Sequence, residues 1–241
     1  MGFKDRLRQT ADIITNLNKM NDKGFTGELL SSWELDKHFD RSLIFRNIYL
    51  QKRNGMTTEI DLLVVAEQGV VVIESKNYSG IIYGKEDQKQ WTQYFSEKKK
   101  YSVPNPISQN NSHIKALKLA LNDYPDLTYF SVIVFSERCT LKIGEVTKPN
   151  TYVIQRFDLD KTIDKIRDEK PALSADKHLD ILARLKKPSK PKKEIQKKHI
   201  EDIKTKCQFC ASPLVERTAK ENGNKFLGCS TFPKCRFTKQ I

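Results

Sequence analysis

Four cysteines close to the C-terminus, Cys207, Cys210, Cys229 and Cys235, constrain this chain more tightly than any other feature. Their spacing is C-x2-C-x18-C-x5-C. A tetrahedral zinc ion takes four soft thiolates, and two short clusters joined by a hairpin deliver them. Two disulfides are the other reading. Residues 1–20 are charged throughout and lack the unbroken apolar core of a secretory leader. No run approaches the roughly 18 apolar residues of a membrane span. The expected setting is therefore the reducing cytoplasm, where clustered cysteines hold metal more often than each other. The fifth cysteine, Cys139, stands alone beyond a strand-like run and reads as a plain small residue.

The length of 241 residues allows one domain of moderate size plus a small module. Formal net charge is +13, and residues 186–241 carry +10 of it. A basic tail on a nearly neutral body fits a polyanionic partner; a merely solvated lysine face is the plainer alternative. Lys186 to Lys193 has no apolar periodicity and reads as an extended, self-repelling linker. The expected organisation is an N-terminal amphipathic helix in 1–22, a body in 23–185, a basic linker in 186–206 and a zinc ribbon in 207–241.

Phe3, Leu7, Ile14 and Leu17 fall at helical intervals, and a second helix is expected from Gly24 to Phe39. Strands are expected over 43–50, 59–66 and 70–77, with Asn54-Gly55 as a turn. The second and third are apolar on both faces, as in Leu62-Leu63-Val64-Val65 and Val70-Val71-Val72-Ile73, which predicts central strands covered on each side. Asn105-Pro106 opens a helix to about 122, because asparagine caps well and proline's missing N–H costs nothing in the first turn. A strand over 128–136, another over 151–155 and helices over 159–166 and 175–185 follow. This order predicts a mixed α/β layered domain.

Glu74 and Lys76 interrupt an otherwise apolar strand and, two residues apart, share a face. Neither is cheap to bury unpaired. Across a hairpin centred near Gln68, Asp61 falls roughly opposite Glu74. Two carboxylates that close repel unless a proton or cation intervenes, and hard oxygen donors suit Mg²⁺. A plain buried salt bridge is the alternative. In the tail, Phe209, Phe226, Phe232 and Phe237 lie among Lys225, Lys234, Arg236 and Lys239. Rings beside cations can stack bases while the cations meet phosphates, although some of these rings must serve the small module's own core. Trp91 reads as a packing residue.

Two resemblances carry these residues further. Gly228-Cys229-Ser230 followed by Thr231-Phe232-Pro233-Lys234-Cys235-Arg236-Phe237-Thr238 closely resembles the C-terminal zinc ribbons of bacterial type IA topoisomerases. That likeness covers 207–241 and implies a Zn²⁺-held module touching nucleic acid. Gly27-Glu28, Ile60-Asp61, Ile73 to Gly80 and Asn105-Pro106-Ile107-Ser108-Gln109-Asn110 together resemble the nuclease-related domain, NERD, of the PD-(D/E)xK nuclease superfamily. This likeness spans about 23–140. Ile60 stands where the superfamily places proline before its aspartate, a mild departure. The resemblance implies a restriction-endonuclease-like mixed sheet flanked by helices. It also implies a nuclease acting on DNA, with RNA not excluded, using Mg²⁺ or Mn²⁺. Asp61 and Glu74 would hold the ion, and Lys76 would orient or help deprotonate the attacking water. Glu28 would complete the metal site or hold a second ion, and Gln109 would orient a ligand or the water. An exposed first-turn residue is the alternative for Gln109. A non-cleaving binding module on the same fold is the other functional reading. Cutting both strands of a duplex invites a homodimer, which nothing in the sequence forces.

Overall fold

Two tight turns fold the first three strands onto one another and set the register of the whole body. The computed structural model of the chain describes residues 23–189, 193–219 and 223–240. The helix expected within residues 1–22 lies outside them. Helix α1 (Lys23–His38) leads into β1 (Ile44–Gln51), β2 (Thr57–Ala66) and β3 (Gly69–Lys76). Asn54-Gly55 makes the first turn, with Gly55 at φ 79°. The second turn is Glu67-Gln68, and it sets Leu62 opposite Ile73 and Val65 opposite Val70.

The chain continues through β4 (Gly80–Gly84), β5 (Gln90–Ser96), β6 (Lys99–Pro104), α2 (Pro106–Ala120), β7 (Tyr129–Phe135), β8 (Cys139–Ile143) and β9 (Thr151–Gln155). Helices α3 (Leu159–Arg167), α4 (Ala175–Lys186) and α5 (Lys193–Thr205) follow, then β10 (Leu214–Thr218), β11 (Lys225–Cys229) and β12 (Thr238–Gln240). The main sheet has the order β1-β2-β3-β7-β9. Its β1–β2 and β2–β3 pairs are antiparallel, while β3–β7 and β7–β9 are parallel. The fold is thus mixed α/β, with a small antiparallel sheet, β10-β11-β12, carrying the cysteines.

Both faces of the central strands are buried, as their apolar runs predict. Leu63, Val65, Val70 and Val72 pack against Ile114 and Leu117 of α2 and Ile181 and Leu185 of α4. The alternate residues Leu62, Val64, Val71 and Ile73 pack against Leu35 of α1 and Ile163 and Ile166 of α3. Each such side chain contributes about 1.5–3 kcal/mol of burial, so this layer dominates the body's stability.

Two regions depart from the expected pattern. Residues 80–104 and 139–143 form a second sheet, β6-β5-β4-β8, where no strands were anticipated. Most of β6 is exposed, so its sequence shows no apolar alternation to read. Trp91 is the anchor: it is buried, stacks on Phe135 and donates from Nε1 to Lys85 O at 2.9 Å. Cys139 is buried beside Phe135 and Ile133. The second departure lies in the basic stretch after the body. An extended tether was expected over 186–193 within a basic linker of 186–206; residues 186–189 instead close α4 and the turn after it, residues 190–192 lie outside the described residues, and residues 193–205 of the linker are helical. The buried positions of α5 are His199 and Asp202, so hydrophobic periodicity could not reveal it.

Gly69 permits the second turn. Its φ of 146° disfavours a side chain, and a Cβ there would sit 2.4 Å from the backbone oxygen of Thr128. That oxygen also accepts from Val70 N at 2.9 Å, so it cannot yield without breaking the entry into β7. Gly69→Ala should cost about 3 kcal/mol, read as a lowered urea midpoint for the full chain.

Candidate active site and metal centre

Glu74 is an ionisable side chain at 2% exposure, directly after the buried run Val70-Val71-Val72-Ile73 of β3. An ion buried this way persists only if its oxygens are satisfied. Lys76, two residues on and facing the same way, donates from Nζ to Glu74 Oε1 at 2.5 Å. Gln109 Nε2 donates to the same oxygen at 2.7 Å, while Gln109 Oε1 accepts from Lys76 Nζ at 3.1 Å. His113 Nε2 lies 3.0 Å from Glu74 Oε2, and its Nδ1 lies 2.8 Å from Thr58 Oγ1. The carboxylate is therefore enclosed by lysine, amide and imidazole.

Helix α2 delivers two of these groups, and its start is pinned. Asn105 Oδ1 accepts from Ile107 N at 2.9 Å and Ser108 N at 3.4 Å, capping the helix. Its Nδ2 donates to Gln88 O at 2.6 Å and Glu86 O at 3.1 Å, which ties the helix to the loop after β4. One turn later Asn110 Nδ2 reaches Val72 O and Ser131 Oγ, each at 2.9 Å. The rotation of α2 is thus locked, and Gln109 and His113 point at Glu74. His113 went unnoticed in the sequence. The signal was present, because positions 109 and 113 are four apart and share a helix face.

Asp61 sits one step beyond the last paired residues of β2 and β3, next to Leu62 opposite Ile73. Its Oδ2 accepts from Ser75 N at 3.4 Å. The β1–β2 ladder breaks across from it, at Asn47 with φ 51°. Asp61, Glu74, Lys76 and Gln109 therefore meet at one end of the main sheet. Glu28 falls on α1, and its side chain lies outside the described residues.

Charge is strongly coupled here. Burial opposes ionisation of Glu74, but the Lys76 ammonium and His113 outweigh it and hold the carboxyl down at about 2. Burial likewise opposes the charge on Lys76, and Glu74 beside it prevails, with Asp61 adding to the effect, so the ammonium is held above its ordinary range.

In the tail, the four sulfurs lie within 4.8 Å of one another. Cys207 and Cys235 are 3.6 Å apart and Cys210 and Cys229 are 3.4 Å apart, with all four thiols unpaired. Disulfides need about 2.05 Å, whereas a tetrahedron of sulfurs about 2.3 Å from zinc puts them near 3.8 Å. The donor set fits structural zinc. Around it, Phe226, Phe232, Arg236 and Phe237 line a cavity of about 160 Å³ with Arg217. The Arg217 guanidinium lies 5.3 Å from the Phe232 ring centre. Arg217 escaped the sequence reading because it lies well before the second cysteine pair. Lys234 is exposed, and Lys225 is paired with Glu216 at 2.7 Å.

Two outcomes follow. A carboxyl held low stabilises the fold above its unfolded value, and this is lost as pH falls toward the folded value. Stability should therefore drop between about pH 4.5 and about pH 2, and Glu74→Gln should flatten that limb while lowering stability at pH 7 by about 3 kcal/mol. Urea titrations at stepped pH measure both. Separately, Cys229→Ser should abolish stoichiometric zinc and melt β10–β12, leaving the main sheet folded. Metal analysis and amide exchange read this out.

Comparison with known proteins agrees with this division. Residues 23–136 match the family model of the nuclease-related domain, NERD, and residues 204–241 match that of the topoisomerase DNA-binding C4 zinc finger. Over 185 residues, 76% of this chain, it is 35% identical to an uncharacterised protein of Bacillus anthracis and covers 85% of that protein. The tail is 44% identical over 43 residues to DNA topoisomerase 1 of Mycoplasma pneumoniae, covering 18% of this chain and 6% of that enzyme. It is 42% identical over 51 residues to DNA topoisomerase 1 of Methanothermobacter thermautotrophicus, covering 21% of this chain and 7% of that one. No solved structure matches the chain at a significant level. The chain belongs to the nuclease-related domain family and carries a topoisomerase-type C4 zinc finger at its C-terminus.

Proposed function

We propose that the protein hydrolyses phosphodiester bonds of DNA with Mg²⁺ or Mn²⁺, while its zinc finger holds the nucleic acid. One observation carries this reading: Asp61 and Glu74 converge from adjacent strands with Lys76 between carboxylate and solvent. A carboxylate has about four lone-pair directions, and Glu74 gives three to Lys76, Gln109 and His113. One direction is left for a cation, with Asp61 as the second oxygen donor and Glu28 on α1 as a third. The ion, when bound, supplies a polarised phosphate and a more acidic water. Lys76 keeps its proton and sets fixed positive charge where a phosphoryl oxygen gains negative charge. Gln109 bridges Glu74 and Lys76 and so holds both in position. His113 keeps Glu74 Oε2 in place from behind.

This reading assigns the protein to the cytoplasm, consistent with its unpaired thiols. Among the described residues, no helix is long and apolar enough to cross a membrane. A second reading is favoured by the enclosure of Glu74: three protein donors already satisfy it, as a site retained only for binding would be. In that case the fold would recognise nucleic acid without cutting it.

Cleavage of end-labelled single-stranded, duplex and branched DNA with Mg²⁺ or Mn²⁺ separates the two. Metal-dependent cutting that falls about 10²–10³-fold in Lys76→Ala is expected. Lys76→Gln guards against simple unfolding, since it leaves Glu74 a hydrogen-bond donor. Equal binding by parent and variants with no cutting under either metal would establish the binding module instead.

A further inference from the structure

The zinc finger is fastened to the nuclease-related body at a definite place. Helix α5 packs on the β1–β2 hairpin through His199, which is 8% exposed. His199 Nδ1 lies 2.9 Å from Thr57 Oγ1, its ring meets Tyr49 edge-on at 5.4 Å, and its Nε2 is 3.9 Å from Glu59 Oε2. The helix is knitted to the finger in turn. Asp202, buried, pairs with Lys206 at 2.7 Å, and Lys239 Nζ of β12 donates to Ile203 O at 3.1 Å.

The finger also touches the hairpin tip directly. Lys52 Nζ donates to Gln208 O at 3.2 Å, and Asn54 Nδ2 donates to Phe209 O at 3.3 Å and to Gln208 O at 3.5 Å. Gln208 and Phe209 are the two residues between Cys207 and Cys210. The hairpin therefore grips the loop whose shape the first two metal-ligating cysteines impose. The Phe209 ring nevertheless remains 71% exposed and meets Phe237 edge-on at 5.3 Å. An aromatic platform thus stands at the seam between finger and body.

This seam lies at the same end of the sheet as the carboxylates. Thr57 is four residues before Asp61 in β2, about 13 Å along an extended strand. Thr57 and Thr58 point to opposite faces, and each hydroxyl meets an imidazole: His199 from the zinc-bearing side, His113 from the side holding Glu74. The hairpin is clamped between the two centres.

We propose that the finger, α5 and the β1–β2 hairpin form one rigid arm, so that a DNA strand held on the finger meets the Glu74–Lys76 site at a fixed nucleotide register. This rests on the reading of DNA as the partner. A single strand is the form that fits, because the exposed rings of Phe209 and Phe232 stack bases whose faces are free. Metal loading of the finger then sets where along the strand the site acts.

The test uses the zinc-loaded full chain and single-stranded oligonucleotides carrying one photoreactive base at successive positions. Crosslinks to residues 226–237 and to residues 77–80 are expected at one constant nucleotide spacing. Lys52→Ala/Asn54→Ala removes the grip on the finger without touching a cysteine or a site residue, and His199→Ala loosens it from the helix. Each should spread that spacing over several nucleotides. In parallel, chelation of zinc should raise amide exchange at residues 51–57 at least tenfold while β7 stays protected. A spacing equally sharp in the variants, crosslinks confined to the finger, or hairpin exchange indifferent to zinc would each overturn the rigid arm. Crosslinking needs no cleavage. A protein that binds in register and leaves DNA intact therefore defeats the nuclease reading alone.

Discussion

The ionised carboxylate of Glu74, buried between apolar strands, is the constraint on which the rest of the body depends. A charge removed from water must be repaid by close donors. Here Lys76, Gln109 and His113 supply them, each from a position that some other part of the fold must hold. Lys76 is held by the alternation of β3. Gln109 and His113 are held by α2, whose start is capped by Asn105 and whose rotation is locked by Asn110. Asn105 in turn ties the second sheet's loop to that helix. The second sheet therefore acts as a buttress for the helix that faces Glu74.

The same logic of polar burial joins the tail to the body. Helix α5 has no apolar stripe to bury; its contacts are an imidazole on a threonine and a tyrosine, and a carboxylate on a lysine. Such contacts are directional and weak one by one. They specify a single docking geometry better than they stabilise it. A structural zinc, which the four clustered cysteines fit, would supply the missing stability for a module too small to have much core of its own.

Legibility followed the type of interaction. The β2–β3 register, which places Leu62 opposite Ile73 one step from Asp61 and Glu74, could be read from the sequence because a two-residue turn at Glu67-Gln68 imposes a pairing that counts back along both strands. The doubly apolar runs of β2 and β3 announced helices on both faces, and α1 to α4 provide them. Asn105-Pro106 marked the start of α2 because capping chemistry is local. Arg217 and the α5 contacts were silent, and His113 showed only as a helix-face neighbour of Gln109, with nothing to name its partner. Each is a polar residue whose partner lies far along the chain, Glu74 from His113, Phe232 from Arg217, Thr57 from His199. The second sheet was silent for another reason: its outer strand β6, exposed at most positions, carries no alternation.

The sequence by itself determined the four-cysteine cluster, the register of the first hairpins, the two-sided core and the candidate pair Asp61 and Glu74. These are local spacings or periodicities, and their physics needs only near neighbours. Only the tertiary structure decided that Glu74 is enclosed by His113 and Gln109 as well as Lys76. Only it decided that the basic stretch folds into α5 and that the finger sits on the β1–β2 hairpin. Those outcomes depend on directional contacts between residues distant in sequence, which arise once the backbone has brought donor and acceptor within about 3 Å.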